Sequence, residues 1–306
     1  ITSGAGTTAW TATNGDTTFD AVVSPVVPGS VADKAQTAAV TDLNADSADV
    51  NETVTYTKVG SLVPSSSDGN FPGAPTVVYP NDPSDATKVT PAGVPTVTGY
   101  TAHDPEGHVL TPGSSYQPSD PTKDTTITYT ADKQKGSVSY VDDTTGKTLK
   151  TDSISGTTGS KSSYSTSGSI ADYKKQGYQL VTDGYPADLT FDNDDTTDQN
   201  FTVHLKHQLT PVNPTDPQTP GAPINPDEPD GPKWPTSTNY DKTVNETVSY
   251  VDQNGHVVAK QHTDSVNFTR TVVVDNVTGE VITSGAGTTA WTATNGDTTF
   301  DAVVSP

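Results

Sequence analysis

An exact internal repeat constrains this chain more than any other feature. Residues 1–25 read ITSGAGTTAWTATNGDTTFDAVVSP, and residues 282–306 are identical to them at every position, 281 residues further on. Such an identity predicts a tandem array with a unit of about 281 residues, of which this chain is a fragment that starts and stops inside a module. We therefore expect a series of small folded units rather than one large core.

The composition supports several small cores and few helices. Only 30% of the 306 residues are hydrophobic and 17% are charged, both below the usual share for globular domains. Five of the 37 acidic residues are Glu and a single residue is Arg, whereas Asp and Thr, which favour turns and strands over helix, are abundant. These proportions predict a mostly β protein with short helices, of the α+β class.

The charge of the chain excludes some partners. Its formal net charge is −21 at pH 7, so phosphate backbones and anionic membrane surfaces repel it. The sequence has no Cys for disulfides or thiolate metal sites, and no apolar run long enough to cross a membrane. We expect no nucleic-acid binding and no membrane insertion of this fragment.

Local patterns predict individual elements. Asn254-Gly255 between two polar-apolar runs predicts a hairpin, the alternation from Val266 to Val274 predicts a strand, and residues 275–279 a turn. Two helices are predicted, one from Ser169 to a stop at Gly177 and one from Ser30 through Val40. Further strands are predicted at residues 126–130, 137–142, 148–153, 178–182 and 201–206.

Prolines recur at every third position from Pro211 to Pro235. Polyproline II has three residues per turn, so this spacing predicts an extended spacer over residues 208–241. At about 3.1 Å per residue the spacer would reach roughly 70–75 Å. A ligand for a proline-reading domain is the alternative.

Residues 136–207 carry a family resemblance. They read GSVSYVDDTTGK, then IADYKKQGYQLVTDG, and close with NFTVHLKH. This ordered set resembles the mucin-binding-protein (MucBP) domain of lactobacillus adhesins. Residues 244–281, with the Trp and Phe-Asp-Ala-Val motif of residues 291–306, are similar to the larger module that accompanies it, and residues 1–58 resemble the second half of that module.

The resemblance implies an extended string of small β-grasp, ubiquitin-like modules on the bacterial cell surface, wall-anchored through a region outside this fragment. The implied division is 1–58 (second half of the larger module), 59–133 (a small β module), 134–207 (the MucBP-like domain), 208–241 (the linker) and 242–306 (first half of the next larger module). Residues 244–281 of one chain are predicted to pair end to end with residues 26–58 of a neighbouring copy, because each half-module has unpaired strands.

Candidate sugar-binding residues are aromatic. Trp10 and its copy Trp291 lie in a Trp-Thr-Ala-Thr-Asn-Gly-Asp segment whose ring, amide and carboxylate suit a sugar. Tyr164 and Tyr178 are further candidates for glycan binding. Packing in a small core is the alternative for all four residues.

No catalytic motif is evident, and no cofactor is required. The six His residues are scattered, and His204 and His207, at the end of a predicted strand, are expected to be solvated. Calcium is a possible ligand, because Asp192, Asp194, Asp195 and Asp198 gather hard oxygen donors in one loop, although the loop lacks the Gly and Glu of an EF-hand. A solvated loop is the alternative.

The leading functional hypothesis is a non-enzymatic adhesin repeat that binds host mucin glycans by weak, multivalent contacts. A structural stalk, and capture of a host protein such as immunoglobulin through strand edges, are the rivals. Because the pI is about 4.3, charge repulsion falls in acid, and we expect stronger mucin retention there.

Overall fold

A computed structural model describes residues 3–306, whose regular secondary structure is almost entirely β-strand. Within these residues lie one α-helix, α1 (Ser167–Lys175), and one 3-10 turn (Ser237–Asn239). The strands are β1 Ser30–Ala32, β2 Tyr56–Lys58, β3 Ser61–Ser65, β4 Val77–Val78, β5 Ala92–Gly93, β6 Tyr100–His103, β7 Val109–Leu110, β8 Ser115–Tyr116, β9 Thr125–Ala131, β10 Lys133–Asp142, β11 Lys147–Thr157, β12 Tyr178–Asp183, β13 Gln199–His207, β14 Leu209–Val212, β15 Asp241–Val251, β16 Val257–Thr269, β17 Val272–Asp275, β18 Val281–Ile282 and β19 Thr292–Ala293.

The chain forms two compact units. The first comprises the residues up to Gln134 with Ser155–Lys161 and Thr190–Asp198. The second comprises Lys135–Ile154, Ser162–Leu189 and Gln199–Pro306. No helix among the described residues has the length and apolar character needed to cross a bilayer.

A five-stranded sheet forms the core of the first unit, in the order β4-β3-β9-β6-β7 with β3 and β9 parallel. Strand β9 alternates, and its Ile127 and Tyr129 are buried while Thr126, Thr128 and Thr130 are exposed. Tyr129 stacks on Phe71 with ring centroids 5.1 Å apart. The period of two thus places aromatic and branched side chains on one face of this sheet.

The second unit contains a sheet in the order β11-β10-β13-β12, in which β10 and β13 are parallel and β12 and β13 antiparallel. Tyr140 and Asp142 on β10, and Leu205 and His207 on β13, alternate with more exposed residues and lie at most 7% exposed. Helix α1 follows β11 and packs against β12. Strands β10 and β13, the first and last strands of this sheet along the chain, therefore lie side by side and parallel. Strands β3 and β9 pair in the same way in the first unit.

Most predicted elements are confirmed. The five further strands correspond to β9, β10, β11, β12 and β13, and the hairpin at Asn254-Gly255 joins β15 to β16. The predicted strand through Val274 is interrupted, because β16 ends at Thr269 and β17 begins at Val272. Helix α1 is also confirmed, but it begins at Ser167 after Thr166, whose hydroxyl donates to Asp183 at 2.6 Å instead of capping the helix.

The predicted helix from Ser30 through Val40 is wrong. Ser30–Ala32 is a strand that pairs with Tyr56–Lys58. The backbone N–H of Ala32 donates to Ala86 O at 2.9 Å, so the segment is held by partners far away in sequence. Long-range strand pairing here overrides the modest helix propensity of the alanines.

The predicted polyproline spacer over residues 208–241 is also wrong. Strand β14 pairs antiparallel with β17, and the chain then folds back on itself, so that Ile224 N–H donates to Pro232 O and Trp234 N–H to Ala222 O, both at 2.9 Å. A small core lies beneath this segment, with Val212, Ile224, Tyr240, Val272 and Val274 buried and Trp234 and Val281 packed against them. The three-residue period holds for the positions of the prolines but does not describe the path of the backbone. The apolar residues between them bury surface that an extended helix would leave in water.

Replacing Ile224 tests this packing. Ile224 is 6% exposed, so Ile224→Ala should lower the free energy of unfolding by about 2–5 kcal/mol and reduce amide protection in β17. Chemical denaturation and hydrogen exchange measure the two effects. Asp230→Ala, an exposed position in the same segment, is the control and should change little. Equal stability of both variants would restore the spacer interpretation.

Candidate functional site

The tyrosines around α1 form one aromatic cluster in the second unit. Tyr164 is used internally: its hydroxyl donates to Asp152 at 2.7 Å and lies 2.5 Å from the Tyr140 hydroxyl. Burial and these two partners raise the pKa of Tyr164 far above its usual value. Its ring meets Tyr185 edge-on at 5.3 Å. The structure therefore gives Tyr164 a role in holding strands β10 and β11 to the loop before α1.

Tyr178 opens β12 and lies differently. Its ring meets Tyr173 at 5.5 Å and His207 at 5.3 Å, both edge-on, and the residue is only partly buried. Burial raises the pKa of Tyr178, and the nearby Asp142 and Asp275 charges raise it further, so its hydroxyl stays protonated. Tyr178 is the predicted glycan-binding residue that the structure places in a pocket.

That pocket has a volume of about 340 Å³ and belongs wholly to the second unit. It is lined by Gln176, Tyr178, Asn225, Glu228, Gly231, Pro232 and Val277. We call it the Tyr178 pocket. Its walls come from the end of α1, from the folded-back proline segment and from the turn after β17, so it exists only because residues 208–241 are folded.

A close backbone approach fixes one wall of the pocket. Gly177 follows α1 with φ +97°, and a Cβ there would collide with the carbonyl group of Asn276. The Gln208 N–H donates to Gly177 O and the Asn276 N–H to Gln208 O, both at 2.9 Å. Glycine is required here both for its left-handed backbone and for the missing side chain.

The polar groups of the pocket are held by the proline segment. Asn225 is 7% exposed, and its amide nitrogen donates to Asn276 O at 2.8 Å. The Glu228 N–H donates to Asn225 O at 2.9 Å, closing a turn that leaves the Glu228 side chain exposed. Throughout residues 3–306 no hydrogen bond or ion pair engages the Glu228 carboxylate. An aromatic ring, two side-chain amides and a carboxylate thus converge in one cavity.

His207 lies between two carboxylates directly behind Tyr178. Its Nε2 is 2.7 Å from Asp142 Oδ2 and its Nδ1 is 2.6 Å from Asp275 Oδ2, and all three side chains are at most 8% exposed. Both ring nitrogens face acceptors, so the imidazole is charged and donates twice. Burial opposes that charge, but the hydrogen bonds and charges of Asp275 and Asp142 outweigh it and raise the pKa of His207. The expectation that His207 is solvated is wrong, since tertiary pairing brings the ends of β10, β13 and β17 together.

The two tryptophans differ although their segments are identical. The Trp291 ring lies under the Arg270 guanidinium at 4.5 Å and near the Lys242 ammonium at 5.3 Å. Trp10 is 87% exposed. Trp291 thus has a cation–π partner of its own, and Trp10 presents an open ring. Sugar binding by either residue stays a prediction.

Three aspartates of the proposed calcium loop, Asp192, Asp194 and Asp195, have partners within the protein. Asp194 accepts from the N–H and hydroxyl of Thr196, as Asp120 does from Thr122 and Asp297 from Thr299, so it belongs to a recurrent turn. Asp195 accepts from Gln134 at 2.6 Å, and Asp192 and Asp198 are exposed. Calcium binding by the loop stays a prediction.

A second cluster of side chains, two carboxylates and an imidazole, has the spacing of metal ligands. Among the described residues, ligand atoms of Asp104, Glu106 and His108 lie within 4.8 Å of one another. The same turn recurs at Asp252–His256, where the imidazole again meets the Asp carboxylate, at 3.2 Å against 3.1 Å. The second turn has Asn254 where the first has Glu106, yet it makes the same Asp–His contact. The contact therefore indicates a turn motif rather than a metal centre.

A larger pocket of about 490 Å³ lies in the first unit, with walls that include Val94, Val97 and Leu110. Its tyrosines, Tyr100 and Tyr129, are at most 9% exposed and belong to the core. The acidic lining residues are Asp132, Asp194 and Asp195. Burial raises the pKa of Asp132, and neighbouring Asp195 raises it further against the lowering effect of Thr101. This cavity has acidic lining residues but no exposed aromatic ring on which a sugar could pack.

Comparisons with known proteins assign the family. Residues 134–207 match the family model described as a mucin binding domain, and residues 1–60 and 235–306 match the Muc B2-like domain. These matches define the chain as a repeat of the mucin-binding-domain class. It belongs to the MucBP-type repeats of the mucus-binding proteins called Mub, which confirms the resemblance noted in the sequence.

Two solved structures are similar to the chain. The type 2 repeat of the mucus binding protein MUB from Lactobacillus reuteri is 37% identical over 52% of this chain and 74% of that chain, with a TM-score of 0.35. The crystal structure of Mub-RV is 34% identical over 53% of this chain and 73% of that chain, with a TM-score of 0.39. A search of curated proteins gives no match.

The buried ion triad predicts a pH dependence of stability. Because the pKa of folded His207 lies above the ordinary histidine value of 6.5, its contribution is complete below that pH and is lost as the pH rises through the folded pKa. Chemical denaturation at about pH 6 and about pH 9.5 should show this loss. His207→Gln leaves two buried carboxylates facing each other and should cost about 3–5 kcal/mol at the lower pH.

His204→Gln is the matched control for that variant. His204 lies on the same strand, and its Nδ1 is 2.8 Å from Asp143, but both side chains are about 40% exposed. An exposed pair of this kind should change stability by less than about 1 kcal/mol. Equal pH profiles for wild type and His207→Gln would contradict the charged triad.

Proposed function

We propose that this chain is a non-enzymatic repeat of a bacterial surface adhesin, and that it binds mucin glycoproteins through weak glycan contacts multiplied along a tandem array. The single observation that carries the proposal is membership of the mucus-binding repeat family. The exact repeat of residues 1–25 at 282–306 supports multiplicity, since tandem copies strengthen weak contacts through effective concentration.

The fold supports a binding and spacing role. The order β11-β10-β13-β12, with parallel central strands and one helix after the first hairpin, is consistent with the β-grasp expected for these modules. We infer that the repeat is extracellular and reaches the cell wall through a part of the protein outside residues 1–306. Several small cores, rather than one large one, suit a chain displayed away from the cell surface.

A second role has an observation of its own. Strand β15 lies at the edge of the sheet β15-β16-β19, and the β15–β16 ribbon exposes Val244, Val251, Val257 and Val258 by at least 51% each. An open edge beside exposed valines suits pairing with another polypeptide, either a neighbouring copy through residues 26–58 or a captured host protein such as immunoglobulin. Protein capture and self-pairing are therefore the alternatives to glycan binding.

Retention on immobilised mucin tests the function. The fragment should be retained by mucin and released when the glycans are removed enzymatically, and retention should increase as the pH falls toward the pI of about 4.3, because repulsion from the −21 charge decreases. A pure stalk would show no retention, and protein capture would survive deglycosylation. A flat pH profile would argue against charge repulsion as the limiting factor.

A further inference from the structure

The Tyr178 pocket combines the groups that recognise a sugar ring. We propose that it is the glycan subsite of this repeat and that it takes one uncharged pyranose residue, a hexose or an N-acetylhexosamine. The inference rests on the proposed mucin binding and adds a location and a ligand class to it. Its volume of about 340 Å³ lies at the small end of the usual range of roughly 300–1,000 Å³ for small-molecule sites.

The aromatic wall is fixed in place before any ligand arrives. Tyr178 is clamped edge-on by Tyr173 and by His207, and His207 is itself fixed by two buried carboxylates. An immobile ring can pack against the C–H face of a sugar without a further loss of side-chain entropy. Pro232 and Val277 supply additional apolar surface, which suits the methyl group of an N-acetyl substituent.

The polar wall suits hydroxyl groups. The Glu228 carboxylate has no partner within residues 3–306, and a hydroxyl donating to it would form a charge-assisted hydrogen bond. The Asn225 side chain is oriented by its bond to Asn276 O, so its amide oxygen is a fixed acceptor. Gln176, exposed at the end of α1, adds an adaptable amide.

Charge sets the selectivity for uncharged sugars. Glu228 carries the only charged side chain among the lining residues, all of which are described, and it repels the carboxylate of sialic acid and the sulfate of sulfated sugars. The larger pocket of the first unit is less suitable, since three aspartates line it and its tyrosine rings are buried. Compared with that larger pocket, the Tyr178 pocket joins a partly exposed ring to two side-chain amides and a single acid.

Nuclear magnetic resonance titration of the whole 306-residue chain tests the site, with galactose, N-acetylgalactosamine and N-acetylneuraminic acid as the probes. The two uncharged sugars should shift the backbone amides of Gln176, Gly177, Glu228 and Gly231. N-acetylneuraminic acid should leave them unchanged. Shifts confined to the segment around Trp10 or Trp291 would overturn the assignment.

Substitutions distinguish the contribution of the Tyr178 ring and of the Glu228 charge to sugar binding from a loss of folding. Tyr178→Ala should weaken binding of the uncharged sugars about tenfold, whereas Tyr178→Phe, which keeps the ring, should stay within about twofold. Glu228→Lys should weaken the uncharged sugars and create binding of N-acetylneuraminic acid, a gain that a folding defect does not produce. Phe19→Ala removes an aromatic ring that is 55% exposed in the first unit, outside the Tyr178 pocket, and is the control that should bind normally.

Mucin retention distinguishes the two levels of the proposal. If wild-type protein is not retained on mucin, the proposed function fails. If wild-type protein and Tyr178→Ala are retained equally, the function stands and the subsite assignment is wrong. Where free sugars bind too weakly for titration, this comparison with Phe19→Ala as the control decides the assignment.

Discussion

The buried His207 ion triad is the interaction on which the second unit depends. Asp142 ends β10, His207 ends β13 and Asp275 ends β17, so three strand ends meet at one imidazole. Taking three charged groups out of water is costly, and only their close mutual hydrogen bonds offset that cost. The triad therefore specifies a single relative arrangement of these strands, and β17 is in turn the strand on which the proline segment pairs.

The sequence predicted regular elements well where a period was sustained. Strands β9, β10 and β13 follow alternating side chains, and Gly177, which the backbone requires to be glycine, follows α1. The prediction of an extended segment failed because its three-residue period was a property of the prolines only. The prolines between Pro211 and Pro235 repeat every three residues, yet Val212, Ile224 and Trp234 determine where the segment goes, because they have a core to enter. Their irregular spacing gives no local signal.

The abundance of Asp and Thr has a local structural meaning. In Asp82-Ser84, Asp120-Thr122 and Asp297-Thr299 the carboxylate accepts from the backbone N–H and the hydroxyl two residues on. Such turns orient their own backbone without a hydrophobic contact, which suits a chain of short strands and small cores. Asp194 makes the same turn with Thr196, and calcium binding by its loop stays a prediction.

The candidate site was only half visible in the sequence. Tyr178 could be proposed because an aromatic ring is a recognisable partner for sugars, but nothing in the sequence joined it to Asn225 and Glu228, which lie about 50 residues away in a segment predicted to be extended. His207 was missed for a related reason. A histidine at the end of a strand has no local signal of burial until another strand supplies the second carboxylate.

Protonation connects the fold to the site. The folded chain holds a proton on His207 more tightly than the unfolded chain does, and the partly buried Asp132 likewise has a raised pKa, so both groups favour the folded state as the pH falls. The turn aspartates act in the opposite direction, since hydrogen bonds to Ser84 and Thr122 lower the pKa of Asp82 and Asp120. They are exposed, and water screens their contribution. His207 holds the Tyr178 ring, and because its contribution is complete below pH 6.5, acidification toward the pI of about 4.3 reduces the repulsion between the repeat and mucin without adding stability through this group.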